Sequence, residues 1–100
     1  MKKIVLICAA GMSTSLLVNK MREAATALGV ECEINAYPVA DSGAVIVGSD
    51  CVLLGPQVRY ELTKLQSQYP EIPIAAIEMT SYGMMDGQAV LKQALMLIGE

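Results

Sequence analysis

The 100-residue sequence predicts an α/β protein with an open, doubly wound, four-stranded parallel sheet and helices on both faces. Three observations support this fold class. Strand-like and helix-like stretches alternate four times, and the strand-like stretches are continuous apolar runs, as in sheets that are buried on both faces. Hydrophobic residues make up 54% of the chain and charged residues 17%, which argues against disorder. With right-handed crossovers we expect one domain over residues 1–100 and the strand order 2-1-3-4.

The first strand and helix have the clearest pattern. Residues 3–7 form a continuous β-branched run, and Ser13 and Thr14 are candidate N-caps for the helix that follows. Gly29 is the residue type that a helix C-terminus prefers. The apolar stripe of this helix is predicted to comprise Leu17, Met21, Ala24 and Leu28.

The middle of the chain predicts two more strands with an ambiguous segment between them. Residues 31–36 alternate over a short run that Pro38 ends, and residues 50–54 form a buried strand that Gly55-Pro56 stops. Residues 41–48 could start as a short helix capped by Asp41, but they are rich in poor helix formers.

The last third predicts a helix, a strand, a loop and a final helix. Residues 72–77 are the fourth strand, residues 78–86 are a loop, and Asp86 is a plausible N-cap for the last helix. The third helix has the stripe Val58, Leu62, Leu65 and Tyr69, and the last helix has the inward residues Leu91, Ala94, Leu95 and Ile98.

Composition excludes several kinds of function. A net charge of −3 with no basic cluster argues against a nucleic-acid partner. The three cysteines have neither a Cys-x-x-Cys nor a zinc spacing and the chain has no His, so we expect no metal site and no cofactor. No apolar run approaches the roughly 18–20 residues of a membrane span, so we expect a cytoplasmic protein without membrane insertion.

The loop that follows the first strand, residues 8–15, is the strongest chemical candidate. Ligands of open parallel sheets bind beyond the carboxyl ends of the strands, and Cys8 ends the first strand. Small residues leave the backbone N–H groups after Cys8 uncovered, and the start of the helix adds its unpaired N–H groups and its dipole. The loop therefore suits an oxyanion such as a phosphate, beside a cysteine that could act as a nucleophile.

The residues alone leave several interpretations of this loop open. It could be a plain strand-to-helix turn with a buried cysteine. A cysteine-dependent phosphatase needs Arg six residues after the cysteine, where this chain has Thr14, so an uncharged loop favours a phosphoryl carrier over a hydrolase. A flavin- or phosphate-binding module is a further alternative, although only 4% aromatic residues leave little to stack on a flavin.

Two segments resemble a known family. CAAGMSTSLLV (8–18) and VLLGPQVRY (52–60) are similar to the IIB component of the phosphoenolpyruvate-dependent sugar phosphotransferase system, lactose/cellobiose/chitobiose type. The likeness extends from the first strand to the last helix, and the GMSTS form is closer to the cellobiose/chitobiose branch. It implies a phosphotyrosine-phosphatase-like version of the predicted fold.

The resemblance also implies a function and partners. Cys8 would take a phosphoryl group from a phosphohistidine of the IIA component and pass it to a sugar, of the cellobiose/chitobiose type, bound to the membrane component IIC. The protein would then visit the inner face of the membrane through IIC. The residues implied to bind the phosphoryl oxygens are Ala9, Ala10, Gly11, Met12, Ser13, Thr14 and Ser15.

Other candidates are secondary. Gln57, Tyr82 and Asp86 lie in loops at the same predicted sheet end and could be accessory to the site, although Asp86 is the better helix cap. Cys32 and Cys51 lie within strands, which predicts core positions. Met12, Met84 and Met85 flank the predicted site and could form an adaptable docking surface.

Overall fold

The structure is a computed structural model that describes residues 1–9 and 12–99, with the side chains of residues 1–9 and 14–99. Its sheet has four strands in the order β2-β1-β3-β4, and every neighbouring pair is parallel. This confirms the predicted fold class and strand order. The strands are β1 (Lys2–Cys8), β2 (Cys32–Pro38), β3 (Cys51–Leu54) and β4 (Ile74–Ala76).

Helices connect and follow the strands. The α-helices are α1 (Met12–Leu28), α2 (Ser42–Val45), α3 (Leu62–Gln68), α4 (Met79–Gly83) and α5 (Gly87–Ile98). Two 3₁₀ helices, Val39–Asp41 and Pro56–Glu61, precede α2 and α3. Gly29 follows α1 with a φ of 72°, the left-handed conformation that a helix C-terminus favours, as predicted.

The sheet separates two hydrophobic clusters, which explains why its strands are continuous apolar runs. Alternate residues of β1 point to opposite faces, so Ile4 and Leu6 belong to one cluster while Val5 and Ile7 belong to the other. The first cluster is completed by α1 and α5, and the second by residues of α3 and the segment around Ile46. Full burial of each such side chain contributes about 1.5–3 kcal/mol.

The predicted stripe of α1 is partly wrong. Leu17 and Met21 are buried as predicted, but Val18 and Ala25 complete the inward face, and Leu28 is 55% exposed. Burial at i, i+1, i+4 and i+8 makes a wider face than the predicted row, because α1 packs on both the sheet and α5.

The predicted helix start and the predicted last loop also need correction. α1 begins at Met12, so Ser13 and Thr14 lie in its first turn and are not its N-caps. A first turn tolerates Ser and Thr because its N–H groups have no intrahelical partner. Residues 78–86 are not all loop, since they contain α4. In the ambiguous segment 41–48, residues Ser42–Val45 are helical, and no side-chain bond of Asp41 caps them.

Long side chains cover both edges of the sheet. On β2, the Arg22 guanidinium donates to the Ile34 carbonyl with Nε at 3.1 Å and Nη2 at 2.6 Å. On β4, Gln66 donates to the Ile74 carbonyl at 3.0 Å, and Gln93 donates to the Ala76 carbonyl at 2.9 Å. These bonds satisfy edge carbonyls that could otherwise pair with another strand.

Candidate functional site

Cys8 lies where the order of the strands reverses. After β1 the chain places β2 on one side of β1, and it then returns to place β3 on the other side. β1 ends at Cys8 and β3 ends at Leu54, so the crevice between their carboxyl ends is the switch point where open sheets bind ligands. The predicted position of Cys8 in the fold is therefore confirmed.

The Cys8 side chain is enclosed by backbone from both neighbouring strands. It is 1% exposed, and its Sγ donates to the Tyr37 carbonyl of β2 at 3.7 Å. On the other side, Gly55 N donates to the Ile7 carbonyl at 2.8 Å, and a Cβ at Gly55 would lie 3.9 Å from the Cys8 Cβ. The thiol therefore lies in a narrow space between β2 and the segment after β3.

The residues implied to bind phosphate fall into two groups. Ala10 and Gly11 lie outside the described residues, and Met12 and Ser13 are described only as the start of the α1 backbone. Among the others, Ala9 and Ser15 are exposed, whereas Thr14 is 1% exposed. α1 thus begins four residues after Cys8, with the N–H groups of a 17-residue helix turned toward this end of the sheet.

Three of the predicted site residues are joined by hydrogen bonds. The Tyr82 hydroxyl lies 3.2 Å from Thr14 Oγ1 and accepts from Gln57 Nε2 at 3.2 Å. These residues come from the first turn of α1, from α4 and from the 3₁₀ helix after β3. Tyr82 therefore connects the three segments around the end of β1, and we refer to Thr14, Tyr82 and Gln57 as the hydroxyl–amide chain.

Hydrogen bonds from two further side chains hold α4 in place. Glu78 caps α4, because its carboxylate accepts from the N–H and from the hydroxyl of Ser81, each at 2.8 Å. The Gln93 amide of α5 donates to the Ala76 carbonyl and accepts from Glu78 N at 3.3 Å, as a neighbouring strand would. These contacts fix the short helix that carries Tyr82.

The cap of α4 predicts a pH-dependent contribution to stability. The N–H and hydroxyl of Ser81, with Thr80, hold the pKa of Glu78 below its ordinary value. A carboxylate with a lowered pKa stabilises the fold above its unfolded pKa of about 4.3, and this stability is lost as pH falls through the folded pKa. We therefore expect Glu78→Gln to lower the free energy of unfolding at pH 7 and to lose that effect in acid.

Denaturant unfolding of the wild type and of Glu78→Gln, from pH 7 down to about pH 3, measures the difference between their free energies of unfolding. The exposed carboxylate should give a small effect, and Glu71→Gln, another exposed glutamate, is the control for general loss of charge. A difference that grows as the pH falls would contradict the role assigned to Glu78.

Asp86 has a structural role in this arrangement. Its Oδ1 accepts from Ala89 N at 3.1 Å, which confirms the predicted cap of α5. The next residue, Gly87, packs against Lys20, eight residues after the start of α1 and therefore about 12 Å along that helix. The structure thus places Asp86 beside the middle of α1, away from the end that follows Cys8.

The other two cysteines lie in the core, as predicted. Cys51 is fully buried, and Cys32 is half-buried against the same cluster. Burial first, and then the charges of Asp50 and Cys32, raise the pKa of the Cys51 thiol to about 12. Cys51 is therefore protonated and unreactive at neutral pH.

The predicted methionine surface is only partly present. Met84 is 72% exposed, whereas Met85 is half-buried and packs against the core. The side chain of Met12 lies outside the described residues. Met79 of α4 was not part of the predicted surface. It is 63% exposed, and its sulfur accepts from Arg59 Nη1 at 3.9 Å.

Sequence reasoning missed three features of the site. Tyr37 contributes only a backbone carbonyl, and no residue pattern marks such a contact. Gly55 appeared only as a strand end, although its lack of a side chain lets it pack beside Cys8. Arg59 is the one Lys or Arg in the segment 55–61, and it could have been recognised as the only positive charge near the Gly-Pro-Gln motif.

The part of the chain that the structure describes has neither a metal-binding cluster nor a membrane-spanning helix. Residues 1–9 and 12–99 contain no group of three or more His, Cys, Asp or Glu side chains placed to hold a metal ion. Over the same residues, none of the helices combines the length and the apolar character needed to cross a bilayer.

Comparison with known proteins identifies the family. Residues 3–93 match the family model for the lactose/cellobiose-specific IIB subunit of the PTS system. The oligo-beta-mannoside-specific EIIB component of Bacillus subtilis is 46% identical, over 98% of this chain and 97% of its own length. The galactose-specific and cellobiose-specific EIIB components of two Lactococcus lactis subspecies are each 45% identical, over 93% of both chains.

Solved structures agree with these matches. The cellobiose-specific IIB protein of Borrelia burgdorferi is 35% identical with a TM-score of 0.80, over 97% of this chain and 91% of its own. The lactose-specific IIB domain of Streptococcus pneumoniae has a TM-score of 0.84 over 95% of both chains, and at 21% identity it supports the fold alone. The chain therefore belongs to the lactose/cellobiose-specific IIB family of the sugar phosphotransferase system and is a phosphotransferase component of sugar transport.

Proposed function

We propose that Cys8 is the residue that carries the phosphoryl group, as a phosphocysteine formed and consumed in each transport cycle. The observation that carries this proposal is the position of Cys8 at the switch point of the sheet, four residues before the start of α1. Of the three cysteines, Cys32 and Cys51 lie at the starts of β2 and β3, at the opposite ends of their strands. Only Cys8 is at the end of the sheet where ligands bind.

Backbone N–H groups would replace the missing cation. No Lys or Arg occurs in residues 8–15, so the phosphoryl oxygens would bind the N–H groups of residues 9–15 and the hydroxyls of Ser13, Thr14 and Ser15. Such a loop holds a dianion without the charged side chain that a phosphatase uses to stabilise hydrolysis. This difference favours a carrier over a hydrolase.

Neither phosphoryl-transfer step needs a basic side chain from this protein. The Cys8 sulfur attacks the phosphorus of a phosphohistidine, the S–P bond forms, the P–N bond breaks, and the imidazole nitrogen keeps the electron pair. The proton of the Cys8 thiol ends on the released imidazole. A sugar hydroxyl then attacks the phosphocysteine, the O–P bond forms and the thiolate leaves. Because the chain has no His, the base that takes the hydroxyl proton would come from the partner.

We expect the Cys8 sulfur to move within the site before it reacts. The thiol proton donates to the Tyr37 carbonyl, and the Cys8 side chain is buried against β2. A thiolate has no proton to donate there, so a rotation about the Cα–Cβ bond would turn the sulfur from Tyr37 toward the first turn of α1. That rotation would present the sulfur to the incoming phosphorus.

The partners follow from membership of the family. The donor would be the IIA component, and the acceptor a sugar bound to the membrane component IIC, reached from the cytoplasm at the inner face of the membrane. The relatives are named for an oligo-beta-mannoside, galactose and cellobiose. We propose a β-linked disaccharide of the cellobiose/chitobiose type as the acceptor, with the whole chain, residues 1–100, working as one domain.

Intact-mass measurement after mixing with a phosphorylated IIA component tests this function. We expect the protein to gain the mass of one phosphoryl group, and peptide mapping should place that group on Cys8. Addition of membranes that contain IIC and cellobiose should then remove it. Accumulation of free phosphate without a stable adduct would favour a hydrolase, and a yellow holoprotein would favour a flavin-binding module.

A further inference from the structure

We propose that Tyr82 is a positioning residue of the phosphoryl site, which orients the Thr14 hydroxyl so that it donates to the phosphoryl group on Cys8. The inference rests on the phosphoryl role proposed for Cys8. Its basis is the hydroxyl–amide chain of Thr14, Tyr82 and Gln57, which joins three segments around the end of β1.

Gly55 lies close to both Cys8 and Gln57, and Gln57 contacts Tyr82. A Cβ at Gly55 would lie 3.9 Å from the Cys8 Cβ and 2.9 Å from Gln57 Oε1. The amide nitrogen of Gln57 then donates to the Tyr82 hydroxyl at 3.2 Å. The Gln57 amide therefore lies over Gly55, whose missing side chain leaves it room, and Gly55 itself lies next to Cys8.

Chemistry determines the direction of one hydrogen bond in this chain, and the proposal assigns the direction of the other. The Gln57 Nε2 can only donate, so the Tyr82 oxygen accepts from it and keeps its own proton for a second partner. Thr14 Oγ1, at 3.2 Å, is within reach of that proton. If Tyr82 donates to Thr14, the Thr14 hydroxyl proton is free to donate to an anion, and each bond of the chain strengthens the next.

Because Thr14 is buried, its hydroxyl depends on Tyr82 for its orientation. Thr14 is 1% exposed, so water cannot easily reorient its hydroxyl or replace Tyr82 as its partner. Without Tyr82, the Thr14 proton has no fixed direction, and the site loses part of its preorganised stabilisation of the phosphoryl charge. Tyr82 would therefore affect the rate of phosphoryl acceptance through Thr14, without touching the phosphoryl group.

A mutant cycle tests the proposal. The rate constant of phosphoryl acceptance from phosphorylated IIA is measured by quenched intact mass for the wild type, Tyr82→Phe, Thr14→Val and the double variant. We expect Tyr82→Phe to slow acceptance about fivefold, as for loss of one ordinary hydrogen bond. We expect no further slowing when Tyr82→Phe is added to Thr14→Val, because the hydroxyl through which Tyr82 acts is then absent.

Two variants and one control separate positioning from loss of packing. Thr14→Ser keeps the hydroxyl, so in this background Tyr82→Phe should again slow acceptance about fivefold. Gly55→Ala should slow acceptance as well. The new Cβ would lie 2.9 Å from Gln57 Oε1 and would displace the amide that donates to Tyr82. Tyr69→Phe makes the same chemical change on a half-buried tyrosine of the other cluster and should leave the rate unchanged.

The outcomes distinguish this inference from the function on which it rests. Acceptance by Tyr82→Phe at the wild-type rate overturns the positioning role while Cys8 remains the carrier. Equal slowing by Tyr82→Phe in the wild-type and Thr14→Val backgrounds also overturns it, because Tyr82 would then act independently of Thr14. A wild-type protein that takes no phosphoryl group overturns both proposals.

Discussion

Replacement of Cys8 by serine is expected to abolish phosphoryl acceptance while the fold remains intact. A serine hydroxyl is not ionised near neutral pH, and this chain has no His to activate it, so it is a very poor nucleophile. Loss of a nucleophile commonly lowers a rate by on the order of 10³-fold or more. The Oγ of Ser is similar in size and can donate to the Tyr37 carbonyl as the Cys8 thiol does, so we expect little change in stability.

Cys32→Ser and Cys51→Ser are the matched controls. Both should still accept one phosphoryl group, because these cysteines lie at the other ends of their strands. Cys51→Ser will also be less stable, since it places a hydroxyl in an apolar core. Phosphoryl label on Cys8→Ser, or loss of label in Cys32→Ser, would exclude Cys8 as the sole carrier.

The sheet could be predicted because its pattern is local. Each strand is a short apolar run between turn residues, and four alternations with helices leave few arrangements of a parallel sheet. The inward face of α1 was harder, because Leu28 continues the same helical row as Leu17 and Met21. Val18 and Ala25 are buried on the side of α1 that lies next to β2, and the sequence of α1 alone contains no information on that neighbour.

The site could be predicted in its parts but not in its connections. Cys8 was placed by the rule for open sheets, and Asp86 by the spacing of a helix cap. That Tyr82 would contact both Thr14 and Gln57 depends on α4, a five-residue helix that begins at a glutamate cap in an otherwise loop-like sequence. Met85, two residues after α4, has a φ of 53°, a conformation that favours glycine, so no residue type in this segment marks the turn.

Gly87→Ala is expected to destabilise the protein although the change usually favours a helix. A Cβ at Gly87 would collide with the carbonyl carbon of Lys20 and would lie 2.6 Å from its carbonyl oxygen. These are backbone atoms of α1, so no side-chain rotation can relieve the contact, and α1 and α5 must separate. Overpacking of this kind costs about 1–3 kcal/mol, which exceeds the usual gain of up to about 1 kcal/mol from Gly to Ala in a helix.

Gly83→Ala is the control for this change, because a Cβ there would meet nothing within 4 Å. We expect it to unfold at the wild-type denaturant concentration or slightly above, whereas Gly87→Ala unfolds clearly earlier with a similar slope. The loss should appear in stability and not in phosphoryl acceptance by the folded protein, because Lys20 is about 12 Å along α1 from the turn that follows Cys8. Equal stability of Gly87→Ala and the wild type would mean that the two helices are not in backbone contact, and the packing of α5 would have to be revised.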